Sequence, residues 1–205
     1  NLPGGRVEPG ESGQNAAERE LMEETGVAPQ DTSLRKMLRT EYFWDDWALL
    51  KNMFTRCEIW QSHVGPGCWP DCDMLPLGRI GVKFGQSRQT RFTPDEQKTM
   101  LTLWSIFRSP LILGAELPSL DEATLRLLTN RDVLRLNRHS FGARQIVRDD
   151  AHAVWVSQDE DGSRYAALFN LSEKPREVSL DLRELEGETF ACRELWSGEE
   201  RTAQE

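Results

Sequence analysis

Residues 92–114 read FTPDEQKTMLTLWSIFRSPLILG and contain, in order, a helix start, a helix and a short apolar strand. Thr93 and Glu96 have the spacing of a capping box, in which each residue satisfies a backbone N–H of the other. Apolar residues then recur at helical spacing until Pro110 ends the pattern. The four apolar residues 111–114 follow at once. This stretch predicts a helix that leads into a short buried strand.

The segments on either side repeat this alternation. Residues 45–60 place apolar side chains at helical spacing, and residues 65–75 predict a loop followed by a strand. A second capping box at residues 119–122 predicts another helix. Helices that alternate with short strands are typical of a parallel sheet covered by helices, either open or closed as a barrel.

Beyond Asn137 the apolar period changes to two, which is typical of antiparallel strands. Asp161-Gly162 predicts a hairpin turn between two of them. The segments that we expect to be strands are 144–150, 153–158, 164–171, 176–182 and 189–196.

The composition excludes several classes of protein. The 205 residues contain 25 Lys and Arg against 34 Asp and Glu, so the net charge of −9 disfavours nucleic-acid and anionic-membrane partners. No apolar run is long enough to span a membrane, and no signal peptide is visible, so we expect a cytoplasmic protein. The four cysteines are expected to be buried free thiols, with a Cys68–Cys72 disulfide left open as an alternative.

The N-terminus carries a Gly-rich and acidic motif. GRVEPGE at 5–11 is followed after seven residues by RELMEETGV at 19–27, and its glutamates at i, i+3 and i+4 project from one helical face. Adjacent carboxylates suit Mg²⁺ or Mn²⁺, and the open alternative is a solvated acidic helix. The motif resembles the Nudix box of the Nudix hydrolases, and the positions that carry the resemblance are Gly5, Glu11, Arg19, Glu20, Glu23, Glu24 and Gly26.

The Nudix resemblance covers about residues 1–27 and implies a short loop-helix-loop. It implies that Glu20, Glu23 and Glu24 bind the metal and that the substrate is a nucleoside diphosphate derivative. The sheet that flanks this box in the family is not expected in the rest of the chain. The motif therefore predicts that this segment derives from a Nudix hydrolase, and it leaves open whether the segment has hydrolase activity.

A second resemblance extends over about four fifths of the chain. From Met37 onward the sequence resembles the C-terminal part of the melibiase-type α-galactosidases, which are retaining glycoside hydrolases with a TIM barrel followed by a β-sandwich. The segments that carry it are Arg39, 43–45, 65–78, 92–114, 118–130 and 166–171.

This resemblance implies three domains. Residues 1–36 would be the Nudix-box fragment and a junction between Val27 and Met37. Residues 37–137 would be the last βα units of a partial TIM barrel, and residues 138–205 a truncated antiparallel β-sandwich. We therefore expect a chain cut short at both ends, with open barrel edges that promote self-association and leave Leu75, Leu111 and Leu113 only partly buried.

The same resemblance implies the site residues. Asp73 would accept hydrogen bonds from galactose hydroxyls, Met74 would pack against the sugar, and Asp71 is the neighbouring carboxylate, with a more structural part. Arg39 would contact the substrate. The family's acid/base is an Asp just before Phe-Trp-Asp, and Glu41 is the carboxylate nearest that position, with a surface glutamate as the alternative.

The family's nucleophile lies on a strand that would precede Met37, so no residue of this sequence inherits that role. The expected function is hydrolysis of terminal α-galactosides without a cofactor, by a chain that is itself inactive. The partner would be an α-galactoside saccharide. The alternatives are Mg²⁺-dependent Nudix hydrolysis and a non-catalytic β-sandwich.

Overall fold

The computed structural model describes residues 8–12, 15–16, 18–19, 22–23, 45–82, 85–187 and 189–204. Its contacts divide the chain into two units, Asn1–Tyr42 and Phe43–Glu205. In the first unit the described residues between 15 and 23 are helical, as the Nudix-box motif predicts. The elements below belong to the second unit.

The described residues of the second unit up to His139 form four helices and one short β-ribbon. They are α1 (Trp47–Trp60), β1 (Arg79–Ile80), β2 (Arg88–Gln89), α2 (Pro94–Phe107), α3 (Glu122–Leu128) and α4 (Arg131–His139). Strands β1 and β2 pair in antiparallel fashion. Short 3-10 turns lie at Gln61–His63, Leu117–Ser119 and Leu182–Leu185. The helix α4 was not predicted from the sequence.

The start of α2 confirms the predicted capping box. The Thr93 backbone N–H donates to Glu96 Oε2 at 2.8 Å, and the Glu96 N–H donates to Thr93 Oγ1 at 3.3 Å. These bonds satisfy backbone donors that a helix cannot pair internally.

The second predicted capping box was wrong. Asp121 caps α3 by accepting the Thr124 N–H at 2.8 Å. The Ser119 hydroxyl donates instead to the Glu116 carboxylate at 2.7 Å, because Ser119 lies before the residue that caps the helix.

Antiparallel strands form the C-terminal part. They are β3 (Phe141–Arg148), β4 (His152–Gln158) and β5 (Arg164–Asn170) in one sheet of order β3-β4-β5, with β6 (Thr189–Arg193) and β7 (Glu200–Gln204) as a separate hairpin. The predicted turn at Asp161-Gly162 is confirmed, with Gly162 at φ +91°.

The strand predicted at 176–182 was wrong. These residues alternate between exposed and half-buried, but the structure assigns them no ladder and ends them in the 3-10 turn Leu182–Leu185. Alternation alone makes no strand where no neighbouring strand pairs with it.

Where the sequence predicts parallel barrel strands, the described residues form one isolated bridge. Within the described ranges the only parallel pairing is an isolated bridge between Leu75 and Leu113. Leu75 donates to the Ile112 carbonyl at 2.7 Å, and Gly114 donates to the Leu75 carbonyl at 2.9 Å. Pro76 follows Leu75 immediately and has no N–H with which to extend the ladder. A partial barrel is therefore not established by this structure.

Burial at this bridge differs from the prediction at one position. Leu111 and Leu113 are half-buried, as expected, but Leu75 is fully buried. Leu75 belongs to the cluster that also contains Leu50 and Leu103, so helices cover it from one side.

One buried cluster joins the helices to the antiparallel sheet. The Phe54 ring of α1 meets Phe169 of β5 at 4.8 Å between centroids, and Phe107 of α2 meets Trp155 of β4 at 6.0 Å, both edge to face. The domain boundary at residues 137 and 138, which stays a prediction, thus lies within a continuous hydrophobic core.

Asp159 fastens the β4–β5 turn to α4. Its carboxylate accepts two hydrogen bonds from Arg135, at 3.0 Å each, and one from the Tyr165 hydroxyl at 2.5 Å. Burial alone would raise the pKa of Asp159, but the bonds from Tyr165 and Arg135 outweigh it and lower that pKa. Burial and the bond to Asp159 raise the pKa of Tyr165 to about 12.

We predict that Asp159→Asn destabilises the protein at pH 7 by about 1–3 kcal/mol, since it unpairs a buried network. Because the folded pKa of Asp159 lies below its unfolded value of about 3.9, this stabilisation is present above that value and is lost as the pH falls through the folded pKa. Urea unfolding should show that the difference in the free energy of unfolding between wild type and variant becomes smaller from pH 7 to pH 3. Asp181→Asn, an exposed control, should show little gap, and a gap for Asp159→Asn that does not change with pH would contradict the account.

Candidate functional site

A loop before the Leu75 bridge carries the predicted sugar-contacting residues. Gly65 and Cys68 exchange two backbone hydrogen bonds, at 2.9 and 2.8 Å, and close a tight turn. Gly67 in that turn has φ +88°, a conformation in which glycine is unstrained. The turn directs the chain into residues 69–74, hereafter the site loop.

Asp73 has an unusual backbone conformation at the centre of the site loop. Its φ is +78°, in the left-handed region that non-glycine residues rarely occupy. Its N–H donates to Asp71 Oδ1 at 2.8 Å, and its carbonyl accepts the Trp104 indole N–H at 2.9 Å. Its own Oδ1 accepts the Met74 N–H at 2.7 Å. Such outliers persist where the surroundings enforce them, often at functional sites.

Residues on α1 and at the end of α2 contact the buried side of the site loop. The Cys72 N–H donates to Ser109 Oγ at 2.9 Å, and both residues are buried. Cys72 Sγ lies 3.7 Å from Cys57 Sγ of α1. The loop therefore contacts both helices through buried groups.

The cysteines correct the sequence-based expectation. Cys57 and Cys72 are buried, whereas Cys68 and Cys192 are exposed, and all four are free thiols. The Cys68–Cys72 disulfide is wrong, because the side chain next to Cys72 is Cys57. Burial, with the Cys72 thiol as a second cause, raises the pKa of the Cys57 thiol well above its usual range.

Arg108 connects the site loop to the end of α4. Its guanidinium lies 3.9 Å from the centroid of the Trp69 ring, a cation–π distance. It also donates to the carbonyls of Ser140 and Arg138 at 2.6 Å each. Burial lowers the pKa of Arg108, and the nearby Glu160 opposes that shift.

Several side chains of the site loop are exposed to solvent. Met74 is 49% exposed and Trp69 36% exposed, while Asp71 is exposed and Asp73 half-buried. Ile112, beside the Leu75 bridge, is also 49% exposed. A carboxylate next to an apolar side chain can accept hydrogen bonds from sugar hydroxyls and pack against a sugar ring.

The structure brings together only part of the predicted site. Asp71, Asp73 and Met74 lie in one loop, whereas Arg39 and Glu41 lie outside the described residues. Sequence reasoning missed the contribution of Trp104 and its indole bond. The available signal was general, because a buried tryptophan usually finds an acceptor for its N–H.

The Nudix motif is described in part. Arg19 donates through Nε to Glu11 Oε1 at 3.2 Å, and through a terminal nitrogen to Glu23 Oε2 at 3.2 Å. The hydrogen bond from Arg19 is the main cause that lowers the pKa of Glu11. Predicted positions outside the described residues are Gly5, Glu20, Glu24 and Gly26.

Two of the three implied metal ligands, Glu20 and Glu24, lie outside the described residues, so the metal site stays a prediction. Among the described residues, no group of three or more His, Cys, Asp or Glu side chains could hold a metal ion. Glu23, one of the three implied ligands, is paired with Arg19. We therefore derive no chemical step through Mg²⁺ or Mn²⁺. In the same described ranges, no helix is long and apolar enough to cross a membrane.

Two family models match the chain. Residues 1–64 match the NUDIX domain, and residues 149–205 match the α-galactosidase C-terminal β-sandwich domain. The curated α-galactosidase D of Emericella nidulans is 36% identical over 128 residues, which are 60% of this chain and 18% of that protein. The chain thus spans about a fifth of this curated relative.

Two solved structures are similar over most of the chain. A GH27 β-L-arabinopyranosidase from Geobacillus stearothermophilus is 50% identical with a TM-score of 0.76, over 80% of this chain and 39% of the other. A candidate α-N-acetylgalactosaminidase from Bacillus halodurans is 42% identical with a TM-score of 0.72, over 86% of this chain and 42% of the other. These comparisons confirm both resemblances stated from the sequence.

We predict that the four thiols fall into two classes. A disulfide reagent such as Ellman's should label Cys68 and Cys192 rapidly in the native protein, whereas Cys57 and Cys72 should react only after unfolding, because they are buried. Thiol release should therefore show two fast equivalents and two more in denaturant. Fast reaction of Cys72 in the native protein, detected by mass spectrometry, would contradict the buried site-loop contact.

Proposed function

The C-terminal part of this chain is related to the α-galactosidases and GH27 glycosidases, and from this premise we propose that the site loop contacts the sugar of a terminal α-galactoside. Asp73 would accept hydrogen bonds from ring hydroxyls, and Met74 would pack against the apolar face of the ring. Asp71 would support Asp73 through its backbone N–H, to which it is bonded at 2.8 Å.

The conformation of Asp73 is the observation that carries this proposal. A left-handed aspartate is costly, and here three hydrogen bonds enforce it through its N–H, its carbonyl and its Oδ1. Among the described residues, no hydrogen-bond donor is assigned to Oδ2. That oxygen lies in a half-buried residue beside exposed Met74, so it remains available to a hydroxyl group.

The proposed class of sugar is based on the configuration of the pyranose ring. A β-L-arabinopyranoside has the ring stereochemistry of an α-D-galactopyranoside without the hydroxymethyl group. The 50% identical neighbour is a β-L-arabinopyranosidase, and that enzyme has also been solved in complex with arabinose. The substrate class proposed here is therefore the pyranosides of galacto configuration, whichever substituent C5 carries.

The proposed chemistry is that of retaining glycosidases. It needs two carboxyl groups about 5–5.5 Å apart, one as nucleophile and one as acid/base, and it needs no cofactor. Asp71 and Asp73 each use one oxygen on a backbone N–H of the loop, which suits binding better than proton transfer. Arg39 as a substrate contact and Glu41 as the acid/base remain proposals. We propose that the 205-residue polypeptide binds sugar without turnover.

Two other functions rank below this one. Nudix hydrolysis is favoured by the family match over residues 1–64, but two of its three implied metal ligands, Glu20 and Glu24, lie outside the described residues. A non-catalytic β-sandwich would explain the C-terminal match alone. Neither accounts for the left-handed Asp73.

Self-association is a separate proposal. Ile112 is 49% exposed beside the parallel bridge between Leu75 and Leu113, and Leu111 and Leu113 are only half-buried there. A second copy of the chain could bury these side chains, and sedimentation at several concentrations would detect it.

We predict that methyl α-D-galactopyranoside and methyl β-L-arabinopyranoside shift the amide NMR signals of Asp73 and Met74, with millimolar affinity. Methyl α-D-glucopyranoside, the C4 epimer of the galactoside, should not, since its C4 hydroxyl points the other way. Asp73→Gly should abolish the shifts while keeping the loop, because glycine accepts positive φ without strain.

Asp150→Ala is the matched control, since it removes an exposed carboxylate from the β3–β4 turn. It should bind like wild type. Equal shifts with the glucoside, or binding that survives Asp73→Gly, would refute the sugar site. Turnover of an aryl α-galactoside that Asp73→Gly abolishes would refute the proposed lack of activity.

A further inference from the structure

We propose that Trp104 is a positioning residue for Asp73: its indole N–H, held in the hydrophobic core, keeps the site loop in the conformation that presents the Asp73 carboxylate. This inference rests on the proposed sugar site for its functional consequence. It rests on the structure alone for the conformation itself.

Asp73 needs support from outside the loop. Its N–H donates to Asp71 and its Oδ1 accepts the Met74 N–H, but both bonds lie within the loop and cannot fix the loop to the rest of the protein. The carbonyl of Asp73 is bonded to Trp104, 31 residues away in sequence, at 2.9 Å. This bond therefore ties the left-handed residue to a rigid element.

Trp104 is fitted for this role by its burial. Its side chain is fully buried in the cluster that contains Phe107 and Leu103 of the same helix. A ring packed in this way has few rotamers available, so its N–H has a fixed direction. The packing of Trp104 in the core thus fixes the position of the Asp73 carbonyl.

Ser109 provides a second attachment from the same helix end. Its Oγ accepts the Cys72 N–H at 2.9 Å, and its own N–H donates to the Trp104 carbonyl at 2.9 Å. Adjacent residues of the site loop are thus bonded to two residues whose backbones are bonded to each other. Together they hold the backbone of Cys72 and Asp73 against the end of helix α2.

The experiment compares Trp104→Phe with Trp155→Phe. Trp155 is a matched control, because it too is fully buried and donates its indole N–H, to Gln145 Oε1 at 3.1 Å, but from β4. Both variants lose the indole hydrogen bond and keep an aromatic ring, so both should lower the midpoint of thermal unfolding. Only Trp104→Phe should change Asp73.

The structural readout is the strong intraresidue amide-to-Hα NOE that positive φ produces at Asp73. It should be weakened in Trp104→Phe and retained in Trp155→Phe, and the affinity for methyl α-D-galactopyranoside should fall about tenfold only in the former. Ser109→Ala, a smaller change, should weaken the same NOE, and it decides the question if Trp104→Phe fails to fold.

An unchanged NOE in Trp104→Phe, or in Ser109→Ala if the former does not fold, would overturn the inference. So would equal losses of the NOE in both tryptophan variants, since these would indicate general destabilisation. If the wild type binds no galactoside, the proposed function fails, but the NOE comparison still decides whether Trp104 positions Asp73.

Discussion

The burial of helix α2 is the constraint on which the second unit depends. From Met100 to Phe107 all but one of its residues are buried, so the helix contacts neighbours around most of its circumference. One side faces α1, and Phe107 meets Trp155 of the antiparallel sheet. A helix buried in this way cannot shift without opening the whole core.

The end of the same helix determines the surroundings of the site loop. Arg108 adopts φ +61° as the helix ends, and its guanidinium donates to the carbonyls of Arg138 and Ser140 at the end of α4 while it stacks on Trp69. Trp104 and Ser109 bond the loop backbone. The loop is therefore held by a helix terminus, and the geometry of the candidate site is a consequence of core packing.

Much of this fold was predictable from local patterns. The capping box at Thr93 and the turn at Asp161-Gly162 are signals within a few residues, and both are confirmed. The amphipathic pattern of α1 was equally readable. Local signals succeed where hydrogen bonds close within one turn of chain.

The failures involve partners that are distant in sequence. Residues 176–182 alternate like a strand but have no ladder, and residues 111–114 supply one bridge in place of a strand. The same holds for the candidate site. Its residues Asp73 and Met74 came from a family resemblance, whereas the Trp104 bond spans 31 residues and needed the structure.

Native-state hydrogen exchange tests the central claim most directly, because it reports the free energy of opening for each element. If α2 organises one core, the slowest amides of α2 and of β4 should exchange with the same free energy, and Trp155→Phe should lower both together. Protection of β4 that persists after α2 has exchanged would contradict the account, since it would make the antiparallel sheet an independent unit.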